Sequence, residues 1–153
     1  MKNIKEVRLL ISVGVDVSKG KSTVCILKPY GEVIMSPNDY EHTLSDLKKL
    51  ADQMDSFEDE IHVTMEATGN YHFPIATYLK KRDYDVRIIN PLEMKRYRCQ
   101  GIRNPKTDSI DAFMIAQYGI CFFRYGGSRN YYVHDSEIRM IYFSLRVYSV
   151  HAI

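Results

Sequence analysis

In residues 9–17, Ile11, Val13, Val15 and Val17 alternate with Ser12, Gly14 and Asp16. A period of two puts the valines on one side of a strand and Asp16 on the other. Lys19-Gly20 makes a tight connection into Lys21–Leu27, a stretch rich in β-formers. Pro29-Tyr30-Gly31 then turns the chain into a short third strand over residues 32–35, with proline suited to position i+1 of the turn and glycine to i+3. The hydrophobic period lengthens after that. Leu44, Leu47, Leu50, Ala51 and Met54 form one apolar stripe at helical spacing, and the Thr43 side chain can cap this helix together with Asp46 three residues on.

The second half alternates strand and helix. Residues 61–66 predict a strand, residues 70–81 a helix with Ile75 and Leu79 inward, and Asp85–Ile89 another strand. Asn90-Pro91-Leu92-Glu93 is a helix start, with a capping residue, proline at the first helical position and an acid in the first turn. Thr107 or Asp108 caps the next helix, which carries Ile110, Phe113 and Met114 and is expected to stop at Gly119. The order is β-β-β-α-β-α-β-α-α. Three hairpin-linked strands followed by βα units predict an α/β protein with a mixed five-stranded sheet and helices on both faces, the order of the RNase H-like fold.

Length and composition narrow the field. The 153 residues suit one domain, and 45% hydrophobic with 26% charged residues is ordinary for a globular chain. Cys25, Cys99 and Cys121 are odd in number and form no Cys-x-x-Cys pair, which argues against a zinc knuckle and a disulfide framework and points to a reducing compartment. The first residues carry charge but no apolar signal core, and no long apolar run follows, so the expected location is the cytoplasm, away from membranes.

Four acids end segments that otherwise read as scaffold: Asp16, Glu66, Asp108 and Asp111. Asp16 on a central first strand and Glu66 at the end of the fourth would reach the same end of the sheet, and Asp108 and Asp111, three apart, share a helix face. Converging carboxylates are what hard cations require, since Mg²⁺ takes oxygen ligands and two-metal phosphoryl transfer needs several of them. Each acid also has a plainer reading. Asp108 and Asp111 could be an ordinary cap and first-turn acid, Asp16 could bond the turn at Ser18 or Lys19, and Glu66 could pair at a helix N-terminus.

Gly-Val-Asp-Val-Ser-Lys, Met-Glu-Ala-Thr-Gly-Asn-Tyr, Ile-Asn-Pro and Lys-Thr-Asp-Ser-Ile-Asp-Ala, in this order and spacing, resemble the N-terminal domain of the DEDD transposases of bacterial insertion sequences, family one-hundred-ten group. That family is similar to Piv-type DNA invertases and RuvC-like resolvases. The resemblance runs from about Ile11 to Gly119. It implies a RuvC-like catalytic domain over residues 1–119, with Asp16, Glu66, Asp108 and Asp111 in the four DEDD places. It further implies Mg²⁺- or Mn²⁺-dependent cleavage and exchange of DNA strands for transposition, an element-encoded bridge RNA as guide, and a homo-oligomer at full length. Family members carry a serine nucleophile in a second domain, and none of Ser128, Ser136, Ser144 or Ser149 stands in a recognisable motif for it.

Residues 120–153 are expected to be a tail, truncated or frameshifted: eight of the eighteen aromatic residues fall there, and Ser136, Ile138, Ile141, Tyr142 and Leu145 suggest one more helix. A net charge of +2 is too small to announce a nucleic-acid partner, so its distribution matters. Lys95, Arg96, Arg98, Arg103 and Lys106 face a single acid, Glu93, in a basic run leading to Asp108, whereas residues 39–60 hold eight acids against Lys48 and Lys49. The basic run suits a phosphate backbone; it could equally be a solvated charged face. Tyr97 within it could stack on a base or pack inward. The competing classes are a metal-dependent recombinase domain, a non-catalytic nucleic-acid-binding remnant, and a fragment of an actin-like kinase or ATPase, for whose second lobe the length leaves no room.

Overall fold

The first strand, β1 (Leu10–Ser18), is buried along nearly its whole length, which only a central strand covered on both faces can be. The computed structural model describes residues 10–28, 31–99 and 107–124. β1, β2 (Lys21–Leu27) and β3 (Val33–Glu41) form an antiparallel meander. The chain crosses through α1 (Leu44–Asp55) to β4 (Glu60–Glu66), which pairs parallel with β1, and through α2 (Phe73–Lys81) to β5 (Asp85–Ile89), parallel with β4. The sheet order is β3-β2-β1-β4-β5. α3 (Pro91–Cys99) and α4 (Asp108–Arg124) follow.

Val13, Val15, Val63 and Met65 pack with Leu47, Leu50, Ala51 and Met54 of α1 and Ile75, Ala76 and Leu79 of α2, forming the core on one face. α4 covers the other. Ala112, Ala116 and Ile120 meet Cys25 and Leu27, while Ile115 joins Ile89 and the α3 residues Met94 and Tyr97. Burial pushes the Cys25 thiol up to about 12, so it stays a neutral core group. No helix among the described residues is long and apolar enough to cross a membrane.

What brings α4 so close is an absence of side chain. A Cβ built on Gly14 would run into the Ala112 carbonyl oxygen and the Ala116 backbone, so helix and strand touch backbone to backbone. The Ser12 hydroxyl donates to the Ala116 carbonyl at 2.7 Å, satisfying a buried polar group within the contact. One turn on, a Cβ at Gly119 would lie 2.5 Å from Ser12 Oγ and 2.8 Å from Thr64 Oγ1.

This explains one departure from the sequence reading. Gly119 does not end the helix; it is the point where α4 passes over β1 and β4, and α4 continues to Arg124. The third strand is also longer than residues 32–35. It runs through Pro37 to Glu41 because an edge strand tolerates proline, with register irregularities against β2 between Val24 and Leu27. Leu44 leaves the apolar stripe: it opens α1 at 78% exposure, and only the later turns are covered. The Thr43 cap is present, accepting from the Asp46 amide at 3.3 Å. α2 begins at Phe73 and not at residue 70, since residues 69–72 form turns and Pro74 favours a first-turn position. The helix expected around Ser136–Leu145 lies outside the described residues.

Gly14→Ala should therefore lower stability by about 2–3 kcal/mol, as overpacking against backbone does, while Gly20→Asn, at a positive-φ turn with open space, should cost far less. Urea unfolding of both variants measures the difference; equal losses would mean that α4 does not depend on the bare strand at Gly14.

Candidate functional site

Val15 is the register partner of Met65, and both face the α1/α2 core. The next residues, Asp16 and Glu66, therefore end side by side at the carboxyl ends of the two central strands, turned to the α4 face. α4 begins beside them. Thr107 Oγ1 accepts from the Ile110 amide at 3.2 Å and caps the helix, so the cap is Thr107 and Asp108 is the first helical residue. Asp108 is exposed, whereas Asp111, one turn in, is 6% exposed. The helix N-terminus favours both acids electrostatically, but an acid held only for capping would remain in water.

Asp111 is held by Arg98. The Arg98 Nη2 lies 2.8 Å from Glu66 Oε2 and 3.6 Å from Asp111 Oδ1, so one guanidinium from α3 bridges the sheet acid and the helix acid. Sequence reasoning assigned Arg98 to a phosphate-binding run beside Lys95, Arg96, Arg103 and Lys106. The structure separates them. Lys95 and Arg96 are exposed on α3, Arg98 turns inward, and Arg103 and Lys106 lie outside the described residues. Tyr97 packs inward at 5% exposure, its ring edge-on to Tyr118 at 5.3 Å. His42 bonds Ser22, the pairing partner of Val17 at the Asp16 end of β1, whereas His62 bonds Asp85 and Glu60 at the opposite end of the sheet; His134 and His151 are outside the described residues.

The charges of all four acids meet at Asp16. Burial, then the negative charges of Asp111, Asp108 and Glu66, raise its carboxyl from 3.8 to about 7, and Arg98 opposes the shift. Among the described residues, no group of three or more His, Cys, Asp or Glu side chains is drawn together tightly enough to hold an ion. The ready-made cage expected from the motifs is thus not closed, and Arg98 stands between two of its members. The donor set nonetheless fits a hard divalent cation: carboxylate oxygens from two strands and one helix, mutually repelling, with Arg98 among them.

The family model of the DEDD transposases of the one-hundred-ten group, described as a transposase, matches residues 13–142. The chain belongs to this transposase family. The match continues beyond Gly119, where the motifs end. Over 60 residues the transposase chain is 40% identical to the pilin gene-inverting protein of Moraxella bovis, a stretch covering 39% of this chain and 18% of that protein, and the Moraxella lacunata protein matches equally. The match thus spans under a fifth of these relatives' length. RuvC of Thermus thermophilus superposes with a TM-score of 0.55 at 12% identity, over 76% of this chain and 96% of RuvC. RuvC from the same organism in complex with a Holliday junction substrate gives 0.53 at 9%, with the same coverage. At such identity the likeness is one of fold, and it makes the transposase chain RNase H-like, with a mixed five-stranded sheet flanked by helices.

Sequence reasoning missed Arg98 as a partner of the acids, and the packing contacts of Gly14, Ala112, Ala116 and Gly119. The small residues at 112, 116 and 119 do recur at helical spacing, a readable sign of close approach. Nothing local marks Arg98.

Because the folded value for Asp16 lies above the unfolded one, ionising it costs folding free energy. Wild-type stability should be unaffected by this group below about pH 4, fall as pH rises to about 7 and stay reduced above. In chelator, Asp16→Asn should thus match wild type at low pH and exceed it by about 1–2 kcal/mol at pH 8, a figure discounted because the group is partly open to solvent. Thermal melts should show this as a gain of roughly 3–5 °C. A loss at pH 8 would mean that the Asp16 carboxylate makes stabilising hydrogen bonds.

Proposed function

We propose that this chain is the catalytic domain of a DNA transposase that cuts and exchanges DNA strands with divalent metal, Mg²⁺ or Mn²⁺, held by Asp16, Glu66, Asp108 and Asp111. The observation that carries this reading is the gathering of acids at the end of the central strands, where Glu66 and Asp111 share Arg98 and the charges of Asp111, Asp108 and Glu66 all act on Asp16. Acids are not gathered on a half-buried strand end without a cost to stability, and functional sites are where such costs are retained. The chemistry such ions supply is stabilisation of the attacking and leaving oxygens of an in-line phosphoryl displacement. Asp16 and Glu66 hold their side of the site from the rigid sheet. Asp108 and Asp111 hold theirs from the first turn of α4.

DNA is the expected substrate and a bridge RNA the expected guide, with homo-oligomerisation at full length and the cytoplasm as the place of action. The RuvC chain of similar fold is in complex with a Holliday junction, which supports branched DNA as the form to try first. Charge distribution also favours a nucleic acid on the α3/α4 side. Lys95 and Arg96 are exposed on α3, which packs against α4, while the acidic residues of β3 and α1 lie on the edge and the opposite face and are largely occupied by Lys21, Lys48, Lys49 and Arg82. A phosphate backbone would thus meet cations next to the carboxylates. The resemblance puts the nucleophilic serine in a second domain, and the part proposed for residues 10–124 is to hold the metal.

Nucleic-acid and metal binding should separate by mutation. Lys95→Gln with Arg96→Gln should weaken DNA binding for all sequences and flatten its salt dependence by about 0.9 in log-log slope per lost phosphate contact, leaving Mn²⁺ binding intact. Asp108→Ala with Asp111→Ala should abolish Mn²⁺ binding while DNA affinity in chelator holds or rises. Filter-binding salt series and calorimetric Mn²⁺ titrations on both variants decide it. An unchanged salt slope in the first would make α3 a solvated face; full Mn²⁺ binding in the second would remove α4 from the metal site.

A further inference from the structure

Arg98 is held in a way that a permanent structural ion pair is not. Its Nη2 alone serves both Glu66, at 2.8 Å, and Asp111, at 3.6 Å, where an arginine clipped to one carboxylate would offer two parallel donors. Its Nε is buried without a hydrogen-bond partner. Leaving a buried donor unmet is unfavourable, so the pose is a compromise. What makes it worthwhile is the surrounding charge: with Arg98 removed, the side chains of Glu66 and Asp111, only 15% and 8% exposed, would face each other and Asp16 with no cation of the described residues between them. Its neighbours on α3, Lys95 and Arg96, are exposed and take no part.

The same arithmetic of charge makes the arrangement conditional. A divalent ion bound by Glu66 and Asp111 would lie within a few ångströms of Nη2, and two cations at that range repel strongly in a half-buried site. The ion also carries twice the charge and can ligate Asp16 and Asp108 as well. Once it binds, Arg98 has lost its purpose there and retains its unmet donor.

We propose that Arg98 is the counter-charge of the ion-free site, and that it leaves the space between Glu66 and Asp111 when divalent metal loads. The inference rests on the metal-binding reading above and adds a gate to it: α3, the helix that carries the exposed basic residues, senses whether the carboxylates are loaded. Arg98 is a positioning residue in this account, acting through the two acids.

Three measurements on the full chain test it. In chelator, Arg98→Gln should melt below wild type, and adding Glu66→Gln to it should recover part of the loss, since the repulsion it uncovers is then smaller. In saturating Mg²⁺ the deficit of Arg98→Gln should close, and calorimetry should show Mn²⁺ binding about tenfold tighter than in wild type, because no guanidinium has to be displaced. In wild type, the Arg98 Nε–H resonance should move on Mg²⁺ addition from a buried to a solvent-exchanging position, a readout that needs no variant to fold. An Arg98 signal unmoved by Mg²⁺ that does bind, or a deficit that persists in Mg²⁺ with unchanged Mn²⁺ affinity, overturns the gate and leaves the metal site standing. If neither wild type nor Arg98→Gln binds Mn²⁺, the metal reading itself fails and takes the gate with it.

Discussion

The whole carboxylate end of the molecule depends on how closely α4 can lie on β1. Gly14 offers bare backbone in the middle of the central strand, Ala112 and Ala116 offer the smallest helical surface against it, and Gly119 clears Ser12 and Thr64 one turn later. Small residues bury little apolar area themselves. The larger side chains flanking the seam supply that: Leu27 and Ile120 on one side, Ile89, Met94 and Ile115 on the other. Because interiors are close-packed and deform little, fixing the seam fixes the first turn of α4, and with it the approach of Asp111 and Asp108 to Asp16.

That approach is electrostatically unfavourable on its own. Burial and three acids push the Asp16 carboxyl up to about 7, and among the described residues Arg98 opposes the shift. The helix N-terminus gives Asp108 and Asp111 some relief. The remainder is strain of charge, held in place by the packing of α4 on the sheet.

Much of this was legible in the chain. The alternation from Ile11 to Val17, the cap at Thr43, the Asn90-Pro91 start and the Thr107 cap are local signals, each with a local physical cause, and all are present in the fold. The four acids stood out because they fall at strand ends or in the first turn of a helix, where a side chain is free to serve something other than packing. Two departures share one cause. The third strand was read only to residue 35 and α4 only to Gly119; an edge position that tolerates Pro37 in one case and a close crossing in the other carried each element further.

The sequence by itself determined the order of elements, the face on which Asp16 lies and the family to which the motifs belong, because periodicity, capping and turn chemistry act over a few residues. Only the tertiary structure decided that Arg98 pairs with the acids, and that Glu66 and Asp111 share it across a sheet and two helices. Spacing along the chain carries no information about such a pair. Its partners are chosen by the register of β1 with β4 and by the depth at which α4 packs, both of them properties of the folded layers.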